Sequence, residues 1–115
     1  VAAIGVTQQD LEEQADLLLK LRDAITSGRR MAERLRAARS SAGADAAKVK
    51  AIDEVLGRLA TAPIVYPQPM LIDQFANVQR MLGQADQKPG KDAWDRYNDL
   101  MKEWEAIQAA AAPLL

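Results

Sequence analysis

TQQDLEEQADLLLKLRDAITSGRRMAERLRAARS, residues Thr7–Ser40, decides the fold of this chain. The stretch holds no proline and a single glycine, and its apolar residues recur every three or four positions. That spacing places them along one side of an α-helix. Acidic residues follow its start and arginines gather towards its end, which suits both ends of a helix dipole. The pattern therefore predicts one long helix.

The apolar residues of this helix form three rows with heptad spacing. The first row is Leu11, Leu18, Ile25 and Ala32, the second is Gln14, Leu21, Gly28 and Leu35, and a flanking row is Leu17, Ala24, Met31 and Ala38. So wide a stripe suits a helix that packs against two neighbours. Glycine is unfavourable inside a helix, so Gly28 has two interpretations: a close helix contact, or a break into two helices.

Proline and glycine mark out the rest of the chain. We expect a second helix from Ala44 to Ala60, a third that begins at Pro69, and a fourth from Lys91 to Ala110, which Pro113 ends. The proline-rich segment 63–69 should form a stiff, extended link across one end of the bundle.

These elements predict an all-α fold, an antiparallel up-down bundle of three to four helices with a long first helix. A length of 115 residues favours a single domain. Residues 7–112 should form the bundle and residues 113–115 a tail. Residues 1–6 are expected to connect to an upstream domain that is missing here.

Composition narrows the chemistry that the chain can perform. The chain has no histidine and no cysteine, which excludes imidazole and thiolate ligands and any disulfide. The net charge of −1 does not favour nucleic acid as a partner. No run of apolar residues approaches the ~18 that a membrane span needs. We therefore expect no cofactor, no metal, no nucleic acid and no membrane span.

Carboxylate and aromatic residues offer two candidate sites, each with a simpler interpretation. The pairs Glu12 with Asp16 and Asp95 with Asp99 lie one helical turn apart, as acid–base groups could, but their positions favour a solvated face. Trp94, Tyr97 and Trp104 could stack on a carbohydrate, but their spacing favours the core. Tyr66, in the proline-rich link, is the better candidate for an exposed ring.

Two features of the first helix are better candidates for a contact surface. Five arginines, which could hold an anion or simply balance the helix dipole, lie near its end: Arg29, Arg30, Arg34, Arg36 and Arg39. Leu17, Leu18 and Leu19 make the helix apolar around more of its circumference than one packed side needs. We therefore expect Leu17, Leu19 and the arginine face to contact a missing domain, another chain or a second copy. The alternative for the leucines is that the first helix packs on both sides within its own bundle.

Residues DLEEQADLLLKLRD (10–23), QPMLIDQF (68–75) and ADQKPGKDAWDRYNDL (85–100) together carry a family resemblance. The chain resembles the helical C-terminal region of bacterial proteins with a sortilin-like, BNR-repeat β-propeller, often labelled glycosyl hydrolases. The resemblance spans roughly residues 6–107. It implies an accessory module of a larger propeller protein that is periplasmic or secreted.

The resemblance does not imply that these 115 residues catalyse a reaction. Catalytic residues of propeller glycosidases lie on blade loops, so none of them maps onto this chain. We therefore expect a non-catalytic helical module that packs on, orients or dimerises a propeller domain. Two alternatives stay open: part of a sialidase-like hydrolase whose active site lies in the missing propeller, or a self-associating or anion-binding bundle.

Overall fold

The computed structural model describes residues 8–62, 68–84 and 91–115, and nearly all of them are helical. Four α-helices follow one another: α1 (Gln8–Ala42), α2 (Ala46–Leu59), α3 (Leu71–Gln84) and α4 (Lys91–Ala111). A 3₁₀ turn, Ala112–Leu114, follows α4. The described segments contain no strand, and the helices pack against one another. The predicted all-α bundle with a long first helix is confirmed.

The helix ends follow local rules of capping. Gly43 has a φ of +56°, a left-handed conformation that glycine adopts without strain, and it stops α1. Asp45 begins α2, because its carboxylate accepts a hydrogen bond of 3.1 Å from the Lys48 amide. The third helix begins at Leu71, two residues after the predicted start at Pro69. The predicted start of α1 at Thr7 lies outside the described residues.

Helix α2 runs back along the C-terminal half of α1. Midway along α2, Asp53 bonds to Arg39 on α1, with 2.7 Å between Arg39 Nε and the nearer carboxylate oxygen. At the end of α2, Leu59 lies beside Gly28, halfway along α1. The two helices are therefore antiparallel.

Helix α3 continues in the same direction along the N-terminal half of α1. Ile72, in its first turn, also lies against Gly28. At its far end, the side-chain amide of Gln14 donates a hydrogen bond of 2.7 Å to the Leu82 carbonyl. This bond satisfies one of the carbonyls that the end of a helix leaves unpaired. α2 and α3 thus lie end to end along α1, and both are antiparallel to it.

Helix α4 returns along α3 and then along α2. The rings of Tyr97 and Phe75 lie 6.4 Å apart, centroid to centroid. Further along α4, Glu103 pairs with Arg58 near the end of α2, at 3.1 Å. At each level along its axis the bundle therefore holds three helices: α1, α4, and either α2 or α3.

The link between α2 and α3 differs from the prediction. The Met70 amide donates a hydrogen bond of 3.0 Å to the Thr61 hydroxyl, so the two ends of the link lie side by side. They meet at mid-bundle, beside Gly28, and the link therefore does not span one end of the bundle. Sequence alone could not show this, because proline restricts the backbone without saying where the two flanking helices lie. Residues 63–67 themselves, including Tyr66, lie outside the described residues.

The core is apolar and draws on all four helices. Its fully buried side chains include Leu17, Leu21, Leu35, Ile52, Leu59, Phe75 and Ile107. No described helix combines the length and the apolar character that crossing a bilayer would require.

One predicted row of α1 turns gradually out of the core. Leu11 is 38% exposed, Leu18 is half-buried, and Ile25 and Ala32 are only 6% and 2% exposed. A straight α-helix drifts by about 20° per heptad against a strict seven-residue repeat. The N-terminal members of the row therefore lie at the edge of the interface. In this half of α1 the fully buried leucines are Leu17, from the predicted flanking row, and Leu21, from the second row.

Gly28 marks a close helix contact, and α1 runs through it without a break. A Cβ atom added there would lie 3.0 Å from Ile72 Cγ1 and 3.6 Å from Leu59 Cδ1. The missing side chain thus makes room for the junction between α2 and α3. Of the two interpretations of Gly28, the close contact is the correct one.

Candidate functional site

The five arginines of α1 do not form one face. An α-helix turns by about 100° per residue, so Arg29 and Arg36 project on one side of α1. Arg30 and Arg34 project on the side away from the other helices. Arg39 points towards α2. The predicted arginine face is therefore wrong as a single surface, because residues that are close in sequence separate around the helix.

Arg39 has a structural partner. Its Nε and Nη2 atoms lie 2.7 Å and 3.3 Å from the two carboxylate oxygens of Asp53, a two-pronged bond between α1 and α2. The hydrogen bond from Arg39 lowers the pKa of Asp53, and the same bond raises the pKa of Arg39. Both side chains are about half exposed, so the pair orients the helices more than it stabilises them.

Arg29 and Arg36 line an open cleft of about 360 Å³. The cleft lies where α1 meets the junction of α2 and α3, and Thr61, Ile72 and Asp73 complete its other wall. Two carboxylates, those of Asp73 and Glu33, also line it, so the local charge is balanced.

A second cleft, of about 270 Å³, lies where α2, α3 and α4 meet. Arg58 in this cleft pairs with Glu103, and Arg96 donates a hydrogen bond of 3.2 Å to the side-chain oxygen of Gln74. Sequence reasoning missed this cleft, because its residues come from three helices and share no motif.

Leu17 and Leu19 lie in opposite environments. Leu17 is 0% exposed and belongs to the core, which corrects its prediction as a contact residue. Leu19 is 49% exposed and points away from the bundle. A step of two residues along an α-helix rotates the side chain by about 200° around the helix axis. This rotation explains why Leu17 is buried and Leu19 is not.

The aromatic residues of α4 belong to the bundle. Trp104 is 6% exposed, and the rings of Trp94 and Tyr97 meet edge to face at 6.2 Å. Trp94 and Tyr97 are half-buried and pack against the core. The expectation that their spacing reflects the core is consistent with these contacts.

The paired carboxylates lie on exposed surface. Asp16 lies 3.6 Å from Lys20, and Asp95 lies 2.9 Å from Lys91. Within the described residues, no group of three or more carboxylates could hold a metal ion.

The side of α1 that faces away from the bundle is exposed along its length. We call this row of residues the outer face; it consists of Glu12, Asp16, Leu19, Asp23, Thr26, Arg30, Arg34 and Ala37, and all of them are exposed. Its charges are segregated, with three carboxylates in the N-terminal half and two guanidinium groups in the C-terminal half. Neither Arg30 nor Arg34 forms a salt bridge with any residue in the described ranges.

Comparison with known protein families, with curated proteins and with solved structures finds no match for this chain. The resemblance to the propeller proteins therefore stays a prediction.

Proposed function

We propose that this chain is a non-catalytic helical interaction module that docks through the outer face of α1. The observation that carries the proposal is the exposure of this face over a 35-residue helix, with Leu19 as an exposed large apolar side chain on it. No other helix of the described bundle covers this face, and Arg30 and Arg34 on it form no salt bridge with a described residue, so the face can accept apolar and acidic groups of a partner.

The wider setting of the module rests on the sequence resemblance. By that resemblance, the chain is an accessory domain of a larger β-propeller protein, which it packs on, orients or dimerises. If the larger protein is a sialidase-like hydrolase, its reacting groups lie in the propeller and this bundle supports them. Truncation of the bundle should then lower the activity or the stability of the larger protein.

Thiol accessibility, read at the alkylated peptide, tests the docking proposal directly, because these 115 residues contain no other cysteine. Leu19→Cys places a thiol on the outer face, and Met81→Cys, at a residue 69% exposed on α3, is the matched control. Alkylation rates are measured in two samples. One is the isolated 115-residue chain at low concentration, and the other is the native polypeptide, meaning the protein as the cell produces it. The intact mass and terminal sequence of the native polypeptide are determined first.

We expect docking to slow alkylation at position 19 by at least about tenfold in the native polypeptide, while position 81 reacts as before. Equal rates at position 19 in the two proteins would contradict the proposal, because the outer face would then remain open to solvent.

Anion binding by Arg29 and Arg36 is a second candidate, because both arginines line one cleft; Glu33 and Asp73, which line the same cleft, should keep the binding weak. Titration with inorganic phosphate should then show binding that weakens steeply with salt. Arg29→Gln with Arg36→Gln should abolish it, and the control pair Arg30→Gln with Arg34→Gln should not. Binding that is equal in both double variants would exclude this cleft.

A further inference from the structure

The charge pattern of the outer face suggests what covers it. Glu12 and Asp16 lie near the N-terminal end of α1, and Arg30 and Arg34 lie in its C-terminal half. A second α1 laid antiparallel against the first brings the acidic half of each helix onto the basic half of the other. We propose, on the basis of the docking function above, that the outer face pairs with the outer face of a second copy of this chain.

Full overlap of the two helices sets the register. Because α1 runs from Gln8 to Ala42, full antiparallel overlap places residue 8 of one copy opposite residue 42 of the other. Asp16 then lies opposite Arg34 of the second copy, and the two-fold axis repeats this pair at the other end of the interface. The carboxylate of Asp16 is already 3.6 Å from Lys20, but both side chains are about half exposed and can rearrange.

The same register also shields Leu19 from solvent. Arg30 of the second copy lies one residue from the position opposite Leu19, and the aliphatic stem of an arginine can cover an apolar side chain while its guanidinium stays in water. Thr26 lies nearest the two-fold axis. Small and uncharged, it leaves room for two helices to approach where the axis crosses.

The area available matches a weak, specific contact. A helix of 35 residues is ~50 Å long, and a strip ~10 Å wide along it offers about 500 Å² per copy. The total of about 1,000 Å² lies at the lower end of what specific interfaces bury. We therefore expect a dimer whose population rises with protein concentration and falls with salt.

Cysteine cross-linking tests the arrangement, since these 115 residues contribute no thiol. Thr26→Cys should yield a covalent dimer with a short bismaleimide, because two copies of position 26 meet near the axis. Leu19→Cys should not, because its two copies lie about 18 Å apart along the helices in this register. The double variant Leu19→Cys with Arg30→Cys should link the two copies.

Charge reversal tests the pairing independently. Asp16→Arg should weaken the dimer about tenfold by light scattering, and the added change Arg34→Asp should restore it. Circular dichroism checks that each variant remains helical. Met81→Glu, on an unrelated surface, should leave the association unchanged.

Three outcomes would overturn the inference. The first is the monomer mass of 12.6 kDa at every concentration, with no link at position 26. The second is equal linking at positions 19 and 26, which indicates a parallel pair. The third is failure of Arg34→Asp to rescue Asp16→Arg. If position 19 is still protected in the native polypeptide when cross-linking fails, docking survives and only the second copy is excluded.

Discussion

Replacing Gly28 by alanine should destabilise the bundle, although alanine is the better helix former. In an open helix, the exchange of glycine for alanine stabilises by roughly 0.5–1 kcal/mol. At position 28 the new Cβ would lie 3.0 Å from Ile72 Cγ1, closer than carbon atoms normally approach. Overpacking of this kind costs about 1–3 kcal/mol, because the Ile72 side chain or the helix that carries it has to shift to admit the new methyl group. The net loss should be about 1 kcal/mol.

Gly57 provides the matched control within the same protein. It lies inside α2, is exposed, and would have no atom within 4 Å of an added Cβ. Gly57→Ala should therefore show the gain in helix propensity alone. The two substitutions change the same chemical group, so the difference between their effects isolates the contact with Ile72.

Thermal and urea unfolding followed by circular dichroism measure the effect. An unfolding entropy of about 2.1 cal/mol/K per residue, taken over 115 residues, makes 1 kcal/mol worth ~4 °C in Tm. Gly57→Ala should raise Tm by ~2–4 °C, and Gly28→Ala should lower it by ~4 °C. The urea m-value should stay constant, because neither change alters the surface exposed on unfolding.

A double-mutant cycle links the effect to its cause. Ile72→Ala removes the Cγ1 atom at a cost of about 2–5 kcal/mol. In that background Gly28→Ala should become stabilising, since the obstacle is gone and the added methyl fills part of the cavity. If Gly28→Ala alone stabilises as much as Gly57→Ala, the close contact does not restrict position 28 and the reasoning is refuted.

The remaining predictions concern single contacts. Asp53→Asn should lower stability at pH 7, because the pKa of Asp53 is lowered in the folded state by its bond to Arg39. The difference in stability from the unsubstituted chain should vanish as the pH falls below about 4, because protonation of Asp53 then removes the charged partner of Arg39. Unfolding at several pH values would show this. Thr61→Val should cost about 1 kcal/mol by unpairing the amide that now donates to Thr61, and amide exchange at that site should accelerate. Leu17→Ala should cost about 2–5 kcal/mol, whereas Leu19→Ala should change stability by less than ~0.5 kcal/mol; equal losses in urea unfolding would contradict their placement.

The candidate surface was predictable only in part. Leu19 was expected to point away from the main apolar rows, and it is half exposed. Leu17 was assigned to the same surface and lies in the core instead. A run of three leucines indicates that a helix has more apolar surface than one packed side needs, but it does not indicate which of the leucines the neighbouring helices cover. Arg39 was missed as a structural residue for the same reason, because its partner Asp53 lies on another helix.

The sequence by itself determined the helices. The absence of proline from residues 7–40, the turn at Gly43 and the three- to four-residue apolar spacing are local properties, and each acts within one or two helical turns. They predicted three to four helices, a long first one and an apolar core.

Only the tertiary structure shows how α2 and α3 pack along α1. Gly28 had two interpretations until Leu59 and Ile72 were found against it, at the point where α2 ends and α3 begins. The Thr61 hydroxyl and the Met70 amide close the link between these helices. Such contacts join residues far apart in sequence, and their energy depends on distances that no local pattern contains.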